Sequence, residues 1–349
     1  MNRIAASFIV LLALAVPAFA QNTFGEKIDV NVVLIDAIVT DDKGNQILGL
    51  DKNDFIVREN GVPQTIESVD YFTNRRLLDA PEGQAPFNVE RVREERYFLF
   101  FFDESADNSF NDEMRLAVQA ANDFIDQEML DVDRVAIVGH DVRLKVYSDF
   151  TGDKGQLKRA LQEVTKFSNG ITEPRASSGP SILRNVDKKK MMDHTGTTYQ
   201  ALTLLADSLR PLRARKNLVL FSPGIHEPSE TVRAGVLLNT SRYYEPMVRA
   251  LNAANVAVYA INIVRDAPST PALHQTLERV ATATSGDYFR WGGNFTPALK
   301  RIENVNNGYY LISYRTKKSG GESGFQKVDV KLRNPEFRVK AREGYAYGG

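Results

Sequence analysis

The sequence predicts an α/β fold: a doubly wound, mostly parallel sheet, flanked at both ends of the chain by short β segments. Three observations predict it. From Arg96 onward, apolar runs of strand length alternate with amphipathic helical patterns, the mark of βαβ units. The run Tyr97-Phe98-Leu99-Phe100-Phe101-Phe102 is directly followed by polar residues and then by a long helical period. Before residue 75 and after residue 308 the texture is short apolar runs between turn residues.

The first twenty residues read as a secretory leader. Arg3 supplies the positive region, Ile9 to Val16 the apolar region, and Ala18-Phe19-Ala20 the cleavage site, so a mature chain would begin near Gln21. Cleavage near Ala20 predicts a secreted or periplasmic protein. No cysteine follows to carry a lipid, and no second long apolar run follows, so a mature chain without a transmembrane anchor is expected.

The N-terminal β segment is expected over 27–75. Residues 28–40 alternate, with Ile28, Val30, Val32, Leu34 and Ile38 on one face. Phe55 and Val57, the Asn60-Gly61 hairpin signal, and Ile66, Val69 and Tyr71 add two short strands. Residues 76–95, charged and broken by Pro81, Gly83 and Pro86, read as a linker.

The α/β part is expected over 96–306. Met114, Val118, Ala121 and Ile125 mark a helix, Arg134 to Val138 and Leu144 to Tyr147 strands, and Lys154 to Val164 a helix. A helix over Gln200 to Leu209, a strand over Asn217 to Phe221, a helix over Ser241 to Ala254 and a strand over Val256 to Ile263 follow. Leu277 to Thr284 is helical and Tyr288 to Arg290 a short strand. Between them, 168–195 is rich in Ser, Gly and Pro and ends near Lys188-Lys189-Lys190, which reads as a disordered or variable rim loop. The C-terminal β segment spans 308–347, with runs at Tyr309 to Arg315, at Val328, Val330 and Leu332, and at Phe337 and Val339.

Lys+Arg and Asp+Glu both total 44 in 349 residues, so net charge offers no bulk case for nucleic acid or an anionic membrane. The absence of cysteine excludes disulfides and thiolate metal sites. Attention falls on Asp103-Glu104-Ser105-Ala106-Asp107, which sets carboxylates and a hydroxyl at the C-terminal end of a strand. Ligands of open α/β sheets bind in that crevice, and such oxygens suit a hard cation.

A strand ending in D-x-S, then a helix, then a threonine rim and a later strand ending in S-x-G resembles the von Willebrand factor A domain. The resemblance implies a metal-ion-dependent adhesion site that binds Mg²⁺ or Mn²⁺ and leaves a position for a partner's Asp or Glu. Carried over, the ligands are Asp103 and Ser105 from the first loop and Thr197 from the second, with Ser222-Pro223-Gly224 at the third. Two positions depart from the pattern: Asp107 stands where the family has Ser, and Pro223 where it has Asp. Asp107 restores the second carboxylate, and Ser222, His226 and Asp266 are further rim candidates. Gly49-Leu50-Asp51-Lys52-Asn53-Asp54-Phe55, Arg58-Glu59-Asn60-Gly61 and Arg342-Glu343-Gly344-Tyr345 are similar to the secreted, acidobacterial type of this family. That likeness implies that the N- and C-terminal segments pair into one small β domain.

The expected function is an exported, non-catalytic protein-binding module, for adhesion or assembly. There is no phosphate loop, H-E-x-x-H, G-x-S-x-G or G-x-G-x-x-G. Two alternatives stay open: a metal-assisted hydrolase using Asp103 and Asp107, and an assembly protein acting through strand edges of the β segments.

Overall fold

The alternating runs become the strands and helices of a layered α/β unit, and the two ends of the chain become sheets beside it. The computed structural model describes residues 31–73, 89–90, 95–104, 111–166, 176–193, 196–225, 243–264, 271–290, 292–316 and 324–347. The expected leader and most of the expected linker lie outside these residues.

The chain opens with β1 (Asn31–Thr40), β2 (Phe55–Glu59), β3 (Val62–Gln64), β4 (Ile66–Thr73) and β5 (Val89–Glu90). Asn60 and Gly61 close the β2–β3 hairpin with φ of 49° and 83°, the positive pair a type I′ turn demands. β5 falls within the stretch read as linker and pairs in parallel with β4.

Next come β6 (Arg96–Asp103), α1 (Asn111–Gln127), β7 (Asp133–His140), β8 (Leu144–Thr151), α2 (Lys154–Thr165), α3 (Ile182–Asn185) and α4 (Lys188–Asp193). They are followed by α5 (Thr198–Leu209), β9 (Lys216–Ser222), α6 (Tyr244–Ala253), β10 (Val256–Asn262), α7 (Pro271–Ala283), β11 (Tyr288–Phe289) and α8 (Thr296–Val305). The sheet order is β11-β10-β9-β6-β7-β8, with every pair parallel except β7–β8. Residues 141–143 alone join β7 to β8, too short a link for a parallel crossover. Along β6, Phe98, Phe100 and Phe102 pack with α1, α2 and α8, whereas Leu99 and Phe101 pack with α5, α6 and α7. The two-residue strand period thus feeds two helical layers, and each fully buried phenylalanine contributes roughly 1.5–3 kcal/mol.

The chain ends with β12 (Gly308–Thr316), β13 (Gly324–Leu332), β14 (Arg338–Ala341) and β15 (Gly344–Tyr347). β1 pairs antiparallel with both β12 and β14, and β13 pairs antiparallel with both β2 and β15. N- and C-terminal strands therefore interleave in two sheets around Ile35, Val57, Tyr310, Ile312 and Tyr314. The fold is the expected α/β class with its flanking β part.

Details differ from expectation. Val33, Ile35, Ala37 and Val39 face the second sheet; of the expected face, Ile38 is buried at 1%, Val32 and Leu34 are 55% and 47% exposed, and Ile28 and Val30 lie outside the described residues. Both faces of this strand are apolar in sequence, so alternation alone did not tell which would meet the second sheet. Helix α8, which packs Leu299 and Ile302 under the sheet, was not expected. Part of the presumed rim loop is ordered: Asp149, 1% exposed, accepts bonds from the Ser177 and Ile182 amides at 3.1 and 2.9 Å and from Ser181 Oγ at 2.5 Å.

Candidate functional site

From β6 the chain winds to β7 on one side and later returns to β9 on the other. The carboxyl ends of β6 and β9 are therefore the topological switch point, where a crevice opens in sheets of this kind. The polar residues that end those strands, Asp103 and Ser222, meet there.

Asp103 is 6% exposed, so its carboxylate needs partners. Ser222 Oγ donates to Oδ2 at 2.6 Å, and Thr198 Oγ1, from the first turn of α5, donates to Oδ1 at 3.0 Å. His140 Nδ1 lies 3.5 Å from Oδ1, and His140 is paired in register with Asp103 across β6–β7. Ser222 Oγ in turn accepts the Gly224 amide at 3.1 Å, skipping Pro223, which has no N–H. Gly224 takes φ of 131°, which side-chain-bearing residues rarely adopt.

Thr197 stands one residue before Thr198. It is the N-cap of α5, its Oγ1 accepting the Gln200 amide at 3.2 Å, and the threonine on Asp103 is its neighbour Thr198. Ser105, Asp107, His226 and Asp266 lie outside the described residues. Sequence reasoning passed over Thr198 and His140. The signal for His140 was there: like Asp103 and Ser222, it is the polar residue that ends the apolar run of its strand.

Glu104 turns to a separate cluster. Its carboxylate, 5% exposed with its residue, accepts from Lys145 Nζ at 3.0 Å and Tyr147 OH at 2.8 Å, and Lys145 also meets Asp141 at 2.9 Å. A Cβ on Gly139 would lie 2.4 Å from Glu104 Oε1, so this approach depends on glycine. Burial raises the Glu104 carboxyl above its ordinary range against the opposing pull of Lys145 and Tyr147. Burial also works to lower Lys145, but Asp141 and Glu104 outweigh it and hold the ammonium above the usual lysine value.

The groups gathered at Asp103 are mainly oxygen, one carboxylate and two hydroxyls, with the His140 Nδ1 nitrogen at 3.5 Å. That kind of set fits a hydrated hard divalent cation, since Mg²⁺ usually keeps several waters, and it does not fit a tetrahedral nitrogen and sulfur site. Among the described residues, no three His, Asp or Glu side chains converge to hold a metal. Nor, among them, is any helix long and apolar enough to cross a membrane.

No protein-family model matches the sequence, and no curated protein matches it. Among solved structures, the chain is similar to a von Willebrand factor type A protein from Catenulispora acidiphila, at 10% identity and a TM-score of 0.42, over 90% of this chain and 75% of that one. BatB from Bacteroides thetaiotaomicron is similar at 15% identity and a TM-score of 0.39, over 60% of this chain and 96% of that one. Proximal thread matrix protein 1 of the mussel byssus, with a zinc-occupied MIDAS motif, is similar at 12% identity and a TM-score of 0.40, over 61% of this chain and 48% of its own. This chain thus spans about half the length of the mussel protein. Likenesses this distant concern the arrangement of strands and helices alone.

Proposed function

We propose that the chain is an exported, non-catalytic protein-recognition module of von Willebrand A type, whose partner meets the rim around Asp103. The observation that supports this most is the nearly buried Asp103 carboxylate at the switch point, held by hydroxyls from β9 and from α5. A carboxylate used only as a strut needs no place in the ligand crevice of the fold.

On this reading Mg²⁺ or Mn²⁺ takes oxygens from Asp103, Ser222 and Thr198, together with Ser105 and Asp107 of the adjoining loop. A bound cation would supply an open coordination position for an Asp or Glu of the partner. Thr197 then serves α5 as its cap, and the rim threonine is Thr198. Ser222 replaces part of what Pro223 cannot offer.

The test is isothermal titration of the metal-stripped mature protein with Mg²⁺ and with Mn²⁺, beside Asp103→Ala. Saturable binding that vanishes in Asp103→Ala supports a cation-dependent rim. A folded wild-type protein that binds neither ion removes the cation from the reading. Partner affinity unchanged by Asp103→Ala would remove the rim itself.

A further inference from the structure

The opposite end of the parallel sheet holds a cavity of about 480 Å³ between the α/β unit and the β unit. Its walls come from the amino ends of β6 and β9, from β1, β4 and β12, and from the β14–β15 connection. Four arginines line it, Arg96, Arg213, Arg215 and Arg342, against two carboxylates, Asp36 and Glu95.

Which charges are already matched decides what the cavity wants. Arg96 is matched: Nε and Nη2 reach Asp133 at 2.6 and 2.8 Å, and Nη1 reaches Asn307 at 2.8 Å. Glu95 is matched to Arg134 at 2.9 Å. Asp36 accepts from Asn255 Nδ2 at 2.7 Å. What remains is Arg213, Arg215 and Arg342 facing one carboxylate. Arg213 is exposed and makes no hydrogen bond or ion pair among the described residues. A guanidinium has five N–H donors. Arg215 places two on Ser285, at 3.2 Å each, and Arg342 places one on the Leu34 carbonyl at 2.6 Å.

Unpartnered atoms gather at the same place. Among the described residues, four buried side-chain polar atoms lack a partner, and three of them belong to this wall: Arg215 Nε, Arg342 Nε and Asn217 Oδ1. Asn217 is itself only 4% exposed. Buried polar atoms are rarely left unpaired without a reason, and the two guanidinium Nε–H groups are donors that an oxyanion can satisfy, whereas Asn217 Oδ1 is an acceptor that it cannot. Lys216, 0% exposed and outside the cavity lining, donates from Nζ to the Leu212 carbonyl. Burial and the neighbouring Arg342 charge push its ammonium down to about 7.

We infer that this cavity is a binding site for a small multivalent oxyanion, phosphate- or carboxylate-bearing, held by Arg213, Arg215 and Arg342. The volume lies within the range of small-ligand pockets. Planar guanidinium groups offer the paired donors that such oxyanions accept two at a time. An anion here would also join the two units, because Arg215 belongs to the α/β side and Arg342 to the β side.

Titration calorimetry of the full chain, metal-free and at constant ionic strength, with pyrophosphate and with citrate, tests the site. One saturable equivalent of either anion is expected, weakened about tenfold or more by Arg213→Glu. Arg213 is exposed, so that variant should keep the wild-type melting temperature. Asp103→Ala should bind the anion as wild type does, which separates this site from the rim. Preference for pyrophosphate assigns a phosphate ligand and preference for citrate a polycarboxylate. Failure of both anions to saturate, or equal affinity in Arg213→Glu and in the folded Arg342→Met, overturns the inference.

Discussion

At the carboxyl end of the parallel sheet polar groups are matched, whereas at the amino end cations outnumber their partners. Asp103 sits with two hydroxyl donors, and Glu104 with Lys145 and Tyr147. Below, Arg215, Lys216 and Arg342 crowd one carboxylate, and both arginines carry an unpartnered Nε. Desolvation is common to both ends, so the difference lies in compensation. A matched buried charge is a positioned group; an unmatched one weakens the fold until something binds it. The rim therefore should respond to cations with modest effect on folding, and the cavity should couple folding to whatever anion fills it.

The largest effect belongs to the buried matched pair of the basic end. Asp133 is 0% exposed and holds Arg96 by two bonds while its Oδ2 also accepts the Leu130 amide at 2.8 Å. Asp133→Ala leaves a buried arginine without its main counter-charge and should cost about 3–5 kcal/mol in urea unfolding. A loss below about 1 kcal/mol would mean that Glu303, 3.4 Å from Arg96, takes over the pairing.

Lys216 gives the next effect, and with the opposite sign. Its folded pKa of about 7 lies below the ordinary 10.5, so between those pH values the unfolded chain binds the extra proton. Stability contributed by this residue therefore rises with pH across that window. Below about pH 7 the whole penalty is present, roughly 4–5 kcal/mol for a shift from 10.5 to about 7. Lys216→Met should be more stable than wild type at pH 6, and the gap should narrow by pH 10. A constant gap in paired urea titrations would show that the lysine is not the titrating group.

At the rim, Ser222→Ala takes the 2.6 Å donor from Asp103 Oδ2. A buried acceptor left short of one donor costs about 1–3 kcal/mol. Mg²⁺ should recover part of that loss in the thermal midpoint if it binds Asp103, and EDTA should withdraw the recovery. An identical midpoint with and without Mg²⁺ would argue for a rim sealed by hydrogen bonds alone.

How much of this was legible in the sequence follows from distance along the chain. The β6 aromatic run and the helical periods around it are local signals, and they became the central sheet and its layers. Asp103 was legible for the same reason, as the polar end of an apolar run. The β1 core face was not, because Val32 and Leu34 are as apolar as Val33 and Ile35, and only the partner sheet decides. The basic cavity was wholly illegible. Its arginines stand at 96, 213, 215 and 342, and nothing short of the folded topology brings them to one wall.

The finest distinction is between two adjacent threonines. Thr197 Oγ1 caps α5 through the Gln200 amide, and Thr198 Oγ1 donates to Asp103. Thr197→Ala should cost about 1 kcal/mol, the usual loss on removing a helix cap. Thr198→Val keeps the branched shape and removes the hydroxyl, so its stability cost should be similar, about 1 kcal/mol. Stability alone would not tell them apart, but the cation would. If Thr198 is the rim ligand, Mg²⁺ affinity falls in Thr198→Val and stays at the wild-type value in Thr197→Ala. The reverse outcome would return the ligand role to Thr197 and would require the first turn of α5 to unwind from its cap when the ion binds.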